Sequence, residues 1–189
     1  MRSTDEFLQS KKDKAGNWYH YTESELAEAL RKAGIRKGEI VFSHISIAKM
    51  GIPKEFYAGK SPVDIILDAI LDVIGPEGTF LTPAYSYSLC WNEIFNPQET
   101  PSRVGVFSDK FRKIKGVERS CEPIFSVAGI GPKVEGLFSG LPHTCFGKDC
   151  IYDRLLQLDA KVCNIGLDLS LNKPIHYFEE RSRVAYRFL

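Results

Sequence analysis

Long apolar runs are missing from this chain. No stretch approaches the roughly 18 consecutive apolar residues needed to cross a bilayer. The opening Met1-Arg2-Ser3-Thr4-Asp5-Glu6 runs into polar residues instead of the apolar core of a signal peptide. No membrane partner is therefore expected, and the location read from the sequence is cytoplasmic. An excess of one charge is missing too: Lys and Arg total 25 against 24 Asp and Glu, a formal charge of +1. The basic stripe of a nucleic-acid-binding protein is absent, and the short runs Lys11-Lys12-Asp13-Lys14 and Arg112-Lys113-Ile114-Lys115 read as solvated surface. The 5 cysteines are odd in number and include no C-x-x-C pair. Cys145 and Cys150 are close in sequence, but no second close pair completes a zinc site, so reduced thiols and no metal are expected. GxGxxG, Walker, HExxH and GxSxG signatures are all absent.

What remains is an ordinary globular composition, 43% hydrophobic and 26% charged over 189 residues, with no repeat or low-complexity linker. It fits one domain over residues 1–189, with residues 1–20 as a peripheral N-terminal extension. Strand-like and helix-like segments alternate. A helix is expected over 22–33, where Thr22 and Glu25 have capping-box spacing and Gly34 suits the exit. Residues 39–44 read as a buried strand. A second helix spans 61–74, with Ser61 as cap, Pro62 in the first turn and Gly75 at the end. Residues 78–83 form the next strand, and 85–102 look like a long surface excursion of the kind that carries function. Helices are expected over 106–114, 152–158 and 174–184, and strands over 123–130 and 160–166. The alternation predicts an α/β layered domain with a largely parallel sheet flanked by helices.

Three places carry polar groups suited to chemistry. His44 ends a predicted strand with Ser46 just beyond it, and strand carboxyl ends are where open α/β sheets bind ligands. The alternative is an ordinary half-buried histidine bonded to backbone. His176 and Glu179 are three apart on the last predicted helix, so the carboxylate can orient the imidazole for proton transfer. A surface helix salt-bridged to Arg181 or Arg183 is the alternative there. Glu122 lies before Pro123-Ile124-Phe125, either as a desolvated general base or as a salt-bridge partner of Arg119.

Taken in order, several segments resemble the aminoglycoside 3-N-acetyltransferase family, also called the antibiotic N-acetyltransferase family. Ile40 to Gly51 is similar to its strand followed by H-x-S-L-x-x-x-G, and Gly75-Pro76-Glu77-Gly78-Thr79 to its G-P-x-G-T turn. Phe95-Asn96-Pro97, Arg119-Ser120-x-x-Pro123-x-x-Ser126-Val127-Ala128 and Gly131-Pro132 continue the likeness. Ile175-His176-Tyr177-Phe178-Glu179 resembles its L-H-Y-x-E segment.

The resemblance implies an α/β fold distinct from GNAT enzymes. It also implies transfer of an acetyl or related acyl group from acetyl-CoA, as co-substrate, to the amine of an amino sugar or aminoglycoside. Glu122, His176 and Glu179 are then the expected catalytic groups, and His44, Ser46 and Lys173 the expected coenzyme-binding ones. Partners would be acyl-CoA and a small amino-sugar acceptor, with a homodimer as the assembly to test. Two departures stand out. The histidine of the family's R-S-x-H-P motif is Glu122 here, and family members usually continue past the equivalent of Tyr186-Arg187-Phe188-Leu189. A nucleotide-linked or cell-surface amino sugar therefore becomes an expected acceptor beside aminoglycosides. The alternative to an enzyme is a non-catalytic relative that binds a sugar or coenzyme A.

Overall fold

The computed structural model describes residues 10–168 and 172–186. Its strands are β1 (Lys11–Lys12), β2 (Trp18–Tyr19), β3 (Ile40–Phe42), β4 (Thr79–Pro83), β5 (Glu118–Arg119), β6 (Val127–Ile130) and β7 (Lys161–Val162). Its α-helices are α1 (Glu23–Lys32), α2 (Pro62–Ile74), α3 (Val106–Phe111), α4 (Val134–Phe138), α5 (Ile151–Gln157) and α6 (Ile175–Arg181). No helix among the described residues is long and apolar enough to cross a membrane.

Local chemistry sets the helix boundaries. Thr22 Oγ1 accepts the Glu25 backbone N–H, and the Glu25 carboxylate accepts the Thr22 N–H in return, so both halves of the capping box start α1. Ser61 caps α2, Pro62 fills its first turn, and Gly75 ends it at φ 66°. The apolar face of α2, including Ile66, Ala69, Ile70 and Val73, is buried. Its acidic positions stay outside, where Asp68 meets Lys60 and Asp72 meets Arg31.

Five strands form the main sheet in the order β5-β6-β4-β3-β7. Side chains alternate across it, as a pleated strand requires. Val41 and Phe80 enter one apolar cluster with α1, α2 and α3, while Ile40, Phe42 and Leu81 enter another with α4, α5 and α6. The sheet is thus flanked by helices, as the alternation of elements predicted.

It is mixed, however, and not strictly parallel. β3 pairs in parallel with β4 and β7, whereas β6 runs antiparallel to both β4 and β5. The cause is the short connection between β5 and β6, which can only join antiparallel neighbours. Only Val127–Ile130 of the expected 123–130 strand is regular, because the residues before it make that turn. Gly131 leaves β6 at φ 126°, where a Cβ would lie 2.5 Å from the Gly78 carbonyl oxygen.

Residues from Ser10 onward in the expected N-terminal extension form a separate hairpin, β1-β2. It is tied down by the Ile52 N–H donating to His20 Nδ1 at 2.9 Å and by the Tyr57 hydroxyl donating to the Trp18 carbonyl at 2.7 Å.

Candidate functional site

The parallel half of the sheet places the first group. β3 and its parallel neighbour β7 send the chain to opposite faces of the sheet, to α2 and to α6, and leave a crevice at their carboxyl ends. Beyond β3 the ladder continues irregularly: Ile165 N–H donates to the His44 carbonyl at 2.9 Å and Ser46 N–H to the Ile165 carbonyl at 3.0 Å. A cavity of about 610 Å³ opens at this edge, lined among others by His44, Ser46, Tyr85, Gly105, Leu167 and Lys173. His44 and Ser46 therefore meet Lys173, more than a hundred residues away in sequence, in one cavity.

His44 packs edge-on against Phe42 and Tyr85, with ring centroids 5.3 and 6.4 Å away. Both its ring nitrogens are buried, and neither has a hydrogen-bond partner among the described residues. That excludes the backbone-bonded histidine and leaves two polar atoms whose desolvation is uncompensated. Burial, reinforced by the nearby Lys173 ammonium, pulls its pKa down to about 4. At neutral pH it is an uncharged imidazole with one donor and one acceptor nitrogen.

The second group surrounds Phe146. His176 Nδ1 lies 2.8 Å from Glu179 Oε2, and Glu179 Oε1 accepts from the Tyr186 hydroxyl at 3.2 Å. The His176 ring meets the Phe146 ring with centroids 5.8 Å apart, and Phe146 in turn meets Phe125 at 5.0 Å. Arg181 turns away from this pair to the Tyr177 hydroxyl.

Glu122 lies in the turn that leads to Phe125, with both oxygens occupied. Oε1 accepts from Ile124 N–H at 3.0 Å and from Cys145 Sγ at 3.4 Å, and Oε2 accepts from Phe125 N–H. It braces the β5–β6 turn and makes no salt bridge to Arg119. Burial, together with the adjacent Glu122 charge, pushes the Cys145 thiol up to about 12, so it is a donor and not a nucleophile.

The sequence profile described as aminoglycoside 3-N-acetyltransferase matches residues 43–189. The chain belongs to the aminoglycoside 3-N-acetyltransferase family. Aminoglycoside N(3)-acetyltransferase IV from a Salmonella species is 30% identical over 171 residues, covering 89% of this chain and 62% of that protein. Aminoglycoside N(3)-acetyltransferase III from Acinetobacter baumannii is 25% identical over 180 residues, covering 84% of this chain and 60% of its own length. The crystal structure of the AAC(3)-IVa apoenzyme superposes with a TM-score of 0.76 at 25% identity, over 87% of this chain and 62% of that one. A binary complex of AAC-IIIb with CoASH shares the fold, with a TM-score of 0.74 at 24% identity over 85% of this chain and 65% of that one. The chain spans about three fifths of the length of the curated relatives it matches.

Two residues of consequence escaped the sequence reading. Tyr85 was assigned to a surface excursion but is 1% exposed, lines the cavity and shares a 2.7 Å hydroxyl contact with Tyr152. The apolar run Pro83-Ala84-Tyr85 following a strand was the available signal. Arg119, read from the sequence as a motif residue and as a salt-bridge partner for Glu122, is an internal strut. Its guanidinium donates to the Ala84 carbonyl, to the Thr100 carbonyl at 2.5 Å and to Ser126 Oγ at 3.1 Å, over the Phe95 ring. It fastens the 93–103 loop to the end of β4. Burial lowers its pKa to about 10, which still leaves it charged at neutral pH.

Proposed function

We propose that the chain is a coenzyme A-dependent N-acyltransferase acting on an amino sugar, with acyl-CoA held in the cavity that joins His44, Ser46 and Lys173. The observation that carries this reading is His44, whose two buried ring nitrogens await polar partners inside that mostly apolar cavity. An amide-rich pantetheine arm supplies donors and acceptors of the kind they lack, and Lys173 supplies a cation for anionic oxygen. Membership of the family and the shared fold with relatives described as N(3)-acetyltransferases support the same assignment.

When bound, an acyl thioester supplies a carbonyl carbon that an amine can attack. The acceptor reaches the enzyme as an ammonium and must first lose a proton. His176 is the preferred base, since Glu179 at 2.8 Å from Nδ1 orients the ring and stabilises the imidazolium as it forms. The amine nitrogen then bonds to the acyl carbon and the carbon–sulfur bond breaks. The second amine proton goes to the sulfur, giving amide and thiol. Neutral His44 can donate to the developing oxyanion without carrying a charge of its own. Glu122 holds the turn that presents Phe125 to this region and is the second candidate for the base.

The binding half is tested by thermal shift with acetyl-CoA. Ligand at a hundred times its dissociation constant should stabilise the fold by about 2.7 kcal/mol. Lys173→Ala and His44→Leu should each reduce that shift. No shift at millimolar acetyl-CoA would overturn the assignment.

A further inference from the structure

A second cavity of about 470 Å³ adjoins the His176 group, and its charges are unlike those of a site for polycations. Phe146, which packs on His176, forms part of its wall together with Tyr177. Glu180, four residues after His176 and so on the same face of α6, also lines it. Lys148, Arg181 and Arg183 supply cations.

Internal pairing removes some of these charges from play. Asp153, the other acid in the wall, already accepts from the Tyr177 hydroxyl, from Gln157 at 3.1 Å and from Asp149 N–H at 2.8 Å. Arg181 donates to the Tyr177 hydroxyl at 2.6 Å and lies 3.6 Å from Asp153. Lys148, Arg183 and Glu180 make no side-chain ion pair or hydrogen bond among the described residues. A ligand entering the cavity therefore meets two uncommitted cations and one uncommitted carboxylate.

We infer that the acceptor bound here is an amino sugar carrying a single amine and a phosphate. Glu180 meets the ammonium on the His176 side, and Lys148 and Arg183 meet the phosphate. Arg183 offers a forked donor and Lys148 a compact charge, the two usual ways of holding phosphate oxygens. A polycationic aminoglycoside would instead bring several ammonium groups to two uncommitted cations and a single free carboxylate, a like-charge juxtaposition that selects against it. The inference rests on the acyltransferase reading, and names its substrate class. Proton transfer and acyl transfer proceed as above, with the phosphate uninvolved in bond making or breaking.

The test measures thiol release at saturating acetyl-CoA with glucosamine, glucosamine 6-phosphate, UDP-linked glucosamine and kanamycin. We expect kcat/KM at least tenfold higher for one of the two phosphorylated sugars than for glucosamine, carried mainly by KM, with kanamycin poorest. The better of the two phosphorylated sugars identifies a terminal phosphate or a nucleotide as its source. In the double variant Lys148→Gln, Arg183→Gln the advantage of the phosphorylated sugars over glucosamine should disappear. Glucosamine or kanamycin as the best acceptor would overturn the inference, as would an advantage that survives both substitutions. Calorimetric titration with glucosamine 6-phosphate separates the two readings. Binding that the double variant abolishes, without thiol release from any acceptor, would sink the acyltransferase reading and keep the site. No binding of either phosphorylated sugar, alongside acetyl-CoA-dependent acylation of neutral sugars, would sink the site alone.

Discussion

Acid should unfold this protein partly through His44. In the folded chain its pKa is about 4, because burial, and secondarily Lys173, disfavours the charged ring. In the unfolded chain it returns to an ordinary value of about 6.5. Between these values the unfolded state binds the extra proton, so stability falls as pH falls. The contribution is complete above pH 6.5 and is lost progressively down to about pH 4. At about 1.4 kcal/mol per pH unit that interval amounts to about 3 kcal/mol. Carboxylates titrate over the same range, so the comparison is with His44→Leu, which removes this titration and leaves the others. Urea denaturation followed by far-UV circular dichroism at intervals from pH 7.5 to 4 gives both curves. The stability of wild type minus that of the variant should drop by about 3 kcal/mol across the window, with the denaturant slope unchanged. Lys173→Met should recover the smaller part of that drop. A difference curve flat to within about 0.5 kcal/mol would refute the reasoning, since it would mean the folded ring protonates as freely as the unfolded one.

Three further outcomes follow from particular contacts. Arg119→Met removes the donors to the Thr100 and Ala84 carbonyls, leaving Ala84 to Ser126 Oγ alone, and should cost about 2 kcal/mol, with faster proteolysis within 93–103; equal protease resistance would contradict the strut. Gly131→Ala forces a side chain into a left-handed backbone against the Gly78 carbonyl and should lower stability by about 2 kcal/mol, read from the urea midpoint; an unchanged midpoint would count against that packing. His176→Asn should reduce kcat about a hundredfold or more with acetyl-CoA affinity intact, whereas Glu122→Gln should cost far less; the reverse order would make Glu122 the base.

Strong local signals were readable from the residues alone. The Thr22/Glu25 capping box and the Ser61-Pro62 start of α2 act within a few residues, so α1 and α2 fall within a residue of expectation. The polarity of the sheet was harder, because β5 is two residues long and periodicity cannot register so short a strand. The mix of aromatics, Asn and Pro over 85–102 pointed to surface, yet Ser86 donates to the Pro123 carbonyl and Ser88 to Ser86, which lets the start of that segment be buried. At the site, His44 was visible from its place after a strand, but its unpartnered nitrogens depend on Phe42, Tyr85 and the far-distant Lys173. Glu122 was read either as a desolvated base or as a salt-bridge partner of Arg119, whereas its oxygens are engaged by the backbone of its apolar neighbours Ile124 and Phe125. Hydrogen bonds of that kind leave no trace in residue type.

The measurement that bears most directly on the proposed activity is thiol release from acetyl-CoA, followed with an aromatic disulfide, with and without an amino-sugar acceptor. Acceptor-dependent release should occur with one thiol per amide formed, mass spectrometry should show a single added acetyl group on the sugar nitrogen, and His176→Asn should remove the acceptor-dependent rate. Acetyl-CoA binding without any acceptor-dependent thiol release, across neutral, phosphorylated and polycationic amino sugars, would contradict the acyltransferase assignment.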